Sequence, residues 1–186
     1  MAGTATNVTA GKPNNAGAVY YAPIGTPVPA DSEATLDAAL KDLGFVSQEG
    51  VTRSISKSTT TIKEWGNGTV LITEDEKTVT YKFKLIEYLN PEVQKFVHGS
   101  ANVTGTIAAG LHIGINDAEA EEHIIVIDQV MRGKKDRMVI NRGVITEIGD
   151  TTYVGNNAVA YDLTITAMTP TAAADKVNEH IGGQSA

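Results

Sequence analysis

Polar and apolar positions alternate most cleanly in one central stretch of the chain. Val79, Tyr81, Phe83 and Leu85 fall on one side, and Thr80, Lys82 and Lys84 fall on the other. A period of two sends successive side chains to opposite faces of a strand, so residues 78–88 predict a half-buried antiparallel strand. With residues 69–73 it forms a long hairpin that turns at Glu74, Asp75, Glu76 and Lys77. The same alternation returns near the end, with Val159, Tyr161, Leu163 and Ile165 set against Ala160, Asp162, Thr164 and Thr166. Apolar runs at 19–24, 124–131, 137–140 and 143–148 add shorter strands, the first broken by Gly25, Thr26 and Pro27.

Two segments carry helical signals. Leu36, Leu40 and Leu43 keep one stripe, and Gly44 stands where a helix would end, so a short helix or helical turn is expected from Ser32. Asn90, Pro91 and Glu92 form a helix start: a capping side chain, a fixed φ and an acid at the positive end. Val93, Phe96 and Val97 give that helix an apolar stripe, and Gly99 closes it. Residues 100–116 read as strand and turn. The polar stretch 53–61 has too few apolar residues to hold itself in a core. It is either a strand completed by a neighbour or a long exposed loop, and it ends beside the only Trp, Trp65, and a Gly-Asn-Gly turn. The sum is a mainly β fold, a β-sandwich of two packed sheets with one or two short flanking α-helices. Residues 1–16 read as a flexible N-terminal arm, 17–170 as the domain, and 171–186 as a short polar C-terminal tail.

Composition narrows the chemistry. The 186 residues suit one domain, with no cysteine for disulfides or thiolate metal sites. No apolar run approaches the roughly 18 residues of a membrane helix, and the N-terminus lacks a signal-peptide plan. A soluble protein made in the cytoplasm is expected. A net charge of −7 gives no general attraction for nucleic acid. His98, His112, His123 and His180 have no zinc-site spacing, and neither a phosphate-binding glycine loop nor a nucleophile elbow is present. Nothing calls for a cofactor, and no catalytic constellation stands out.

Several stretches, in order, resemble the major tail (tail tube) proteins of long-tailed bacteriophages. They are residues 17–29 (GAVYYAPIGTPVP), 36–47 (LDAALKDLGFVS), 62–66 (IKEWG) and 83–93 (FKLIEYLNPEV), extended by 121–123 (EEH) and 161–167 (YDLTITA). The resemblance runs from about residue 11 to 170. It implies a β-sandwich with a flanking helix, related to the type VI secretion tube, in a structural virion protein with no catalysis. Six subunits would form a ring, and strands from all six would join into one inner β-barrel. Rings would stack into a tube that holds the tape-measure protein and conducts double-stranded DNA without binding it specifically. Terminator and baseplate or distal tail proteins would meet its ends. The inner tube of a contractile tail or tailocin, or a β-sandwich binding module displayed on the virion, remains an alternative.

That resemblance gives certain residues candidate roles. Arg53, Ser54, Ser56, Lys57, Ser58, Thr59, Thr60 and Trp65 make a candidate stacking loop to the next ring. Glu74, Glu76, Glu147 and Asp162 are candidate lumen-facing acids, since an acidic wall would repel DNA over a Debye length of about 8 Å. Lys82 and Lys84 count against the simplest version. Residues 111–128 hold five acids and no Lys or Arg, whereas 129–142 are basic. Lys134, Lys135 and Arg137 are therefore candidate stacking charges in a head-to-tail contact.

Overall fold

The alternating stretches do fold as strands, and nearly all of them join one antiparallel sheet. The computed structural model describes residues 4–14, 18–171 and 174–182. Its strands are β1 (Gly11–Pro13), β2 (Val19–Pro23), β3 (Lys41–Asp42), β4 (Val46–Lys63), β5 (Thr69–Leu85), β6 (Val103–Thr106), β7 (Gly110–Ile113), β8 (Glu122–Met131), β9 (Lys134–Ile148), β10 (Tyr161–Ala167) and β11 (Val177–Gly182). The main order is β3-β2-β8-β9-β10-β5-β4, with β1 added on β8 and β11 on β9. β6 and β7 form a separate hairpin.

That order dictates the shape. β3 and β4 stand at opposite ends of it, yet only Leu43, Gly44 and Phe45 separate them along the chain. Four Cα steps span about 14 Å at most, whereas seven strands laid flat would span roughly 29 Å. The sheet must curl until its edges nearly meet. Leu43 N donates to Val19 O at one edge (3.0 Å), and Ile86 N donates to Phe45 O at the other (3.1 Å). The mainly β expectation holds, but the two halves that enclose the core belong to one hydrogen-bonded sheet.

The core fills the inside of the curl. Tyr81, Leu85, Ile125, Ile140, Leu163 and Ile165 are fully buried there, joined by Leu43 from the connecting segment. The helix α1 (Pro91–His98) closes one end with Val93, Phe96 and Val97. Its start is built as predicted: the Asn90 side chain accepts from Glu92 N at 3.0 Å, and Gly99 ends it at φ 88°. A smaller cluster of Ala22, Leu40, Ile124, Val126 and Val139 lies on the other face of β2, β8 and β9. β8 is therefore buried on both faces, which is why it reads as an unbroken apolar run.

Several elements differ from the sequence reading. No helix forms at 32–44. The Asp31 side chain accepts from Glu33 N and Ala34 N, and Asp37 accepts from Ala39 N. These local turns satisfy the backbone in place of helical bonds. The leucine stripe still packs, with Leu36 and Leu40 in the outer cluster and Leu43 in the core. The segments 137–140 and 143–148 are one strand, β9, which passes from β11 to β10 at Gly143. A side chain at Gly143 would crowd Ile125, Ile140 and Ile165. The expected turn at 74–77 is absent, because β5 runs straight through it. Both ends of the chain add strands: β1 lies in the expected arm and β11 in the expected tail, while other parts of each fall outside the described residues.

Candidate assembly surfaces

β4 and β5 outrun the sheet that holds them. β10 pairs with β5 only from Val79 to Leu85. Beyond that point residues 56–63 and 69–78 pair with each other alone. Ten residues at ~3.3 Å each make a two-stranded ribbon about 30 Å long. Its Ser and Thr content suits a strand wetted on both faces, and Lys57–Glu74 (2.7 Å) and Thr60–Asp75 (2.6 Å) brace it across the strands. Extra residues at Asp75 and Val70 shift the register and add twist. The real turn is Glu64 to Gly68, closed by Glu64 N to Gly68 O and Asn67 N to Glu64 O, both 2.9 Å, with Asn67 at φ 66°.

The ribbon ends in an uncovered apolar tip. Ile62 and Leu71 sit opposite each other, Ile72 sits opposite Thr61, and Val70 occupies a bulge. Each is at least half exposed, and Trp65 in the turn is 106% exposed. Of the candidate stacking residues, Ser56, Lys57, Ser58, Thr59, Thr60 and Trp65 lie in the ribbon. Arg53 and Ser54 belong to the sheet, opposite Tyr81 and Thr80. Arg53 is committed to Glu179 on β11 at 2.6 Å. The stretch is an ordered strand, paired along one edge by β5 of the same chain and free along the other among the described residues. The tip residues Ile62, Val70, Leu71 and Ile72 were not singled out from sequence, although Val70, Leu71 and Ile72 form a conspicuous apolar run in a polar setting.

The second surface is the outer face of β4, β5, β10 and the end of β9. Alternation with the buried residues places Thr52, Ser54, Thr80, Lys82, Lys84, Asp162, Thr164 and Thr166 there. Thr146 and Glu147 join them, Thr146 bonded to Thr166 (2.9 Å) and Glu147 accepting from Thr164 (3.1 Å). Asp162 stands opposite Lys84 in register, and Glu147 lies 3.9 Å from Lys82. The face is rich in hydroxyls and balanced in charge. Of the four candidate lumen acids, Glu147 and Asp162 lie on it, and Glu76 continues the same side of β5 beyond Thr80. Glu74 and Glu76 lie out on the ribbon, Glu74 in its pair with Lys57. Both sides of the face end in free edges among the described residues: β4 is the last strand, and residues 145–148 of β9 have only β10 beside them. Unpaired edges are templates for another strand.

The basic segment behaves differently from its sequence reading. β8 and β9 lie antiparallel, so the acidic and basic segments neutralise each other within the subunit. Glu122 takes two hydrogen bonds from Arg142, each 2.7 Å. Arg137 is buried at 5% exposure and makes a two-pronged bond to Asp128 (2.7 and 2.8 Å). Its remaining nitrogen donates to Asp31 O and Ala34 O, holding the 31–34 turn onto the sheet. Arg137 is a brace within the fold and leaves the stacking set. Lys135 pairs with Glu33 at 3.0 Å, and Lys134 is exposed beside the β8–β9 turn.

Among the described residues no group of His, Asp and Glu could hold a metal ion, and no helix is long and apolar enough to cross a membrane. His98 and His123 serve packing. His98 bonds Tyr161 Oη (3.1 Å), and His123 packs against both the Tyr21 and Phe96 rings, which also touch each other. Burial pushes both imidazoles below their ordinary range, although Glu121 opposes this at His123.

A family model described as phage tail tube protein matches residues 4–181. The chain belongs to that family. No curated protein matches it. A tail tube protein is a structural component of the virion tail that assembles with itself into a tube alongside other tail proteins, and the family is not one of enzymes. The ribbon and the open polar face are exposed surfaces of this tail tube protein.

Proposed function

We propose that six copies of this tail tube subunit close into a ring, and that rings stack into a tube whose lumen holds the tape-measure protein and then conducts the genome. The observation that carries this reading is the polar face of β4, β5, β10 and β9 with a free edge on each side. A core-backed sheet with wet chemistry on its open face and unpaired strands at both margins is a segment of a larger barrel. Side-by-side copies would pair the β4 edge of one with the β9 edge of the next. The wall would then present hydroxyls and balanced Lys–acid pairs instead of a strongly acidic surface. Such a wall offers phosphates no cluster of cations, so DNA gains little from counterion release and stays mobile. The ribbon reaches the adjacent ring, terminator and baseplate or distal tail proteins cap the tube, and synthesis takes place in the host cytoplasm.

Negative-stain microscopy of concentrated, purified protein tests the reading. Six-fold rings or long hollow tubes are expected, and a particle that remains a single chain at every concentration refutes it. Lys82→Gln together with Lys84→Gln should leave tube formation intact, because both residues lie on the solvated face and the change sets no like charge opposite Glu147 or Asp162.

A further inference from the structure

The ribbon tip needs a receptor, and the direction of β5 says where one lies. β5 begins beside the Glu64–Gly68 turn and ends at Leu85, which leads directly into residues 86–90. The tip and the 86–90 segment therefore occupy opposite ends of one strand. Seventeen residue steps separate Thr69 from Ile86, about 55 Å at ~3.3 Å per residue. No copy can fold its own tip onto that segment.

That far end carries a shallow apolar groove of about 740 Å³, lined by Ile86, Tyr88, Leu89, Asn90, Ala158 and Val159. Leu89 is 70% exposed, and Tyr153, bonded to Tyr88 Oη at 2.8 Å, stands beside it. The tip presents Trp65 in the turn, with Ile62 and Leu71 paired on one face of the ribbon and Ile72 on the other, all at least half exposed. One surface at each end of identical subunits is the arrangement of a heterologous contact that propagates instead of closing.

We propose that the Trp65 tip of each subunit seats in the Ile86–Leu89 and Ala158–Val159 groove of a second copy in the adjacent ring. This rests on the tube reading above and adds the receptor to it. One consequence is geometric: the rise between rings cannot exceed about 55 Å, the tip-to-groove span along β5.

The chain contains no cysteine, so a site-specific disulfide tests the contact without background. Gly66→Cys and Leu89→Cys are introduced together into the full chain, tubes are assembled, and the sample is oxidised. The contact predicts a covalent ladder that lengthens with tube length on non-reducing gels. Tubes that form without a tip-to-groove disulfide overturn the docking and leave the tube reading standing. A ladder that stops at one ring's worth of subunits also overturns it, since that contact would lie within a ring. Absence of rings and tubes in the unsubstituted protein overturns both. In parallel, Trp65→Ala and Leu89→Asp should each lower sedimenting tube at least tenfold while the circular dichroism of the subunit is unchanged. The double variant should be no worse than the worse single, because both remove one contact. Additive losses refute the pairing.

Discussion

Replacing Arg137 with Met should destabilise the subunit more than any single change on its surface. The guanidinium is buried against an equally buried Asp128, with two short bonds between them, and it also satisfies the carbonyls of Asp31 and Ala34. Arg137→Met strands the Asp128 carboxylate and frees the 31–34 turn. Breaking one side of a buried ion pair costs about 3–5 kcal/mol. A separate route agrees: two unit charges ~4 Å apart at an effective dielectric near 20 attract by about 4 kcal/mol. For a chain of this size each kcal/mol moves the melting temperature by about 2–4 °C, so a drop on the order of 10 °C is expected. Assembly would mask the loss by mass action, so urea unfolding and thermal melts belong below the assembly concentration. The double change Asp128→Leu with Arg137→Met should regain most of the loss, because a buried pair exchanged for packed apolar groups is nearly neutral. A single-variant loss under about 1 kcal/mol, or a double variant that merely sums the two singles, would refute the brace.

Gly44 adopts φ 72° in the segment that closes the curl, and the Glu87 carboxylate occupies the space where a side chain would begin. Gly44→Ala should cost about 1–3 kcal/mol by urea titration, from strain and from displacing the Glu87 bond to Phe45 N; a neutral result would contradict the packing. Burial holds the Asp136 carboxyl above its usual range, partly offset by the Gln129 amide that bonds it. The folded state then keeps the proton more readily than the unfolded one, so stability declines as pH rises through that raised value. Asp136→Asn should be at least as stable as the parent at pH 7, with the advantage fading towards pH 4; a loss above about 1 kcal/mol at pH 7 would count against it. His98 and His123 have the opposite sign. Their folded forms resist protonation, so melting temperature should fall as pH drops below 6.5, and His98→Gln should flatten part of that slope. An unchanged slope in that variant would remove His98 from the account.

Much of the sheet was legible because burial acts on one face at a time. The alternation at 79–85 and 161–167 survives in the structure as paired strands, Tyr81 against Ile165 and Phe83 against Leu163. The Asn90–Glu92 helix start was equally readable, since a cap is a local event. What sequence could not supply was pairing. Glu74 to Lys77 looks like a turn by composition, but the strand continues because β4 lies beside it, and a single bulge at Asp75 absorbs the irregularity. Residues 53–61 bury nothing, so sequence left them between an exposed loop and a strand completed by a neighbour; β5 pairs one edge of that strand without any core. The stripe of Leu36, Leu40 and Leu43 suggested a helix because a loop can also direct three leucines inward when Asp31 and Asp37 fold it into turns. Arg137 looked like a surface charge for a related reason. Charge in sequence does not reveal that Asp128 lies across the strand pair.

The continuity of β5 has a mechanical meaning. Any force applied at the Trp65 end is delivered along the strand axis into the part of β5 gripped by β10, from Val79–Ala167 to Leu85–Tyr161. The bonds between those strands lie across the load, so they would have to shear together instead of unzipping one after another. A pull along the ribbon would therefore load each subunit in its toughest direction.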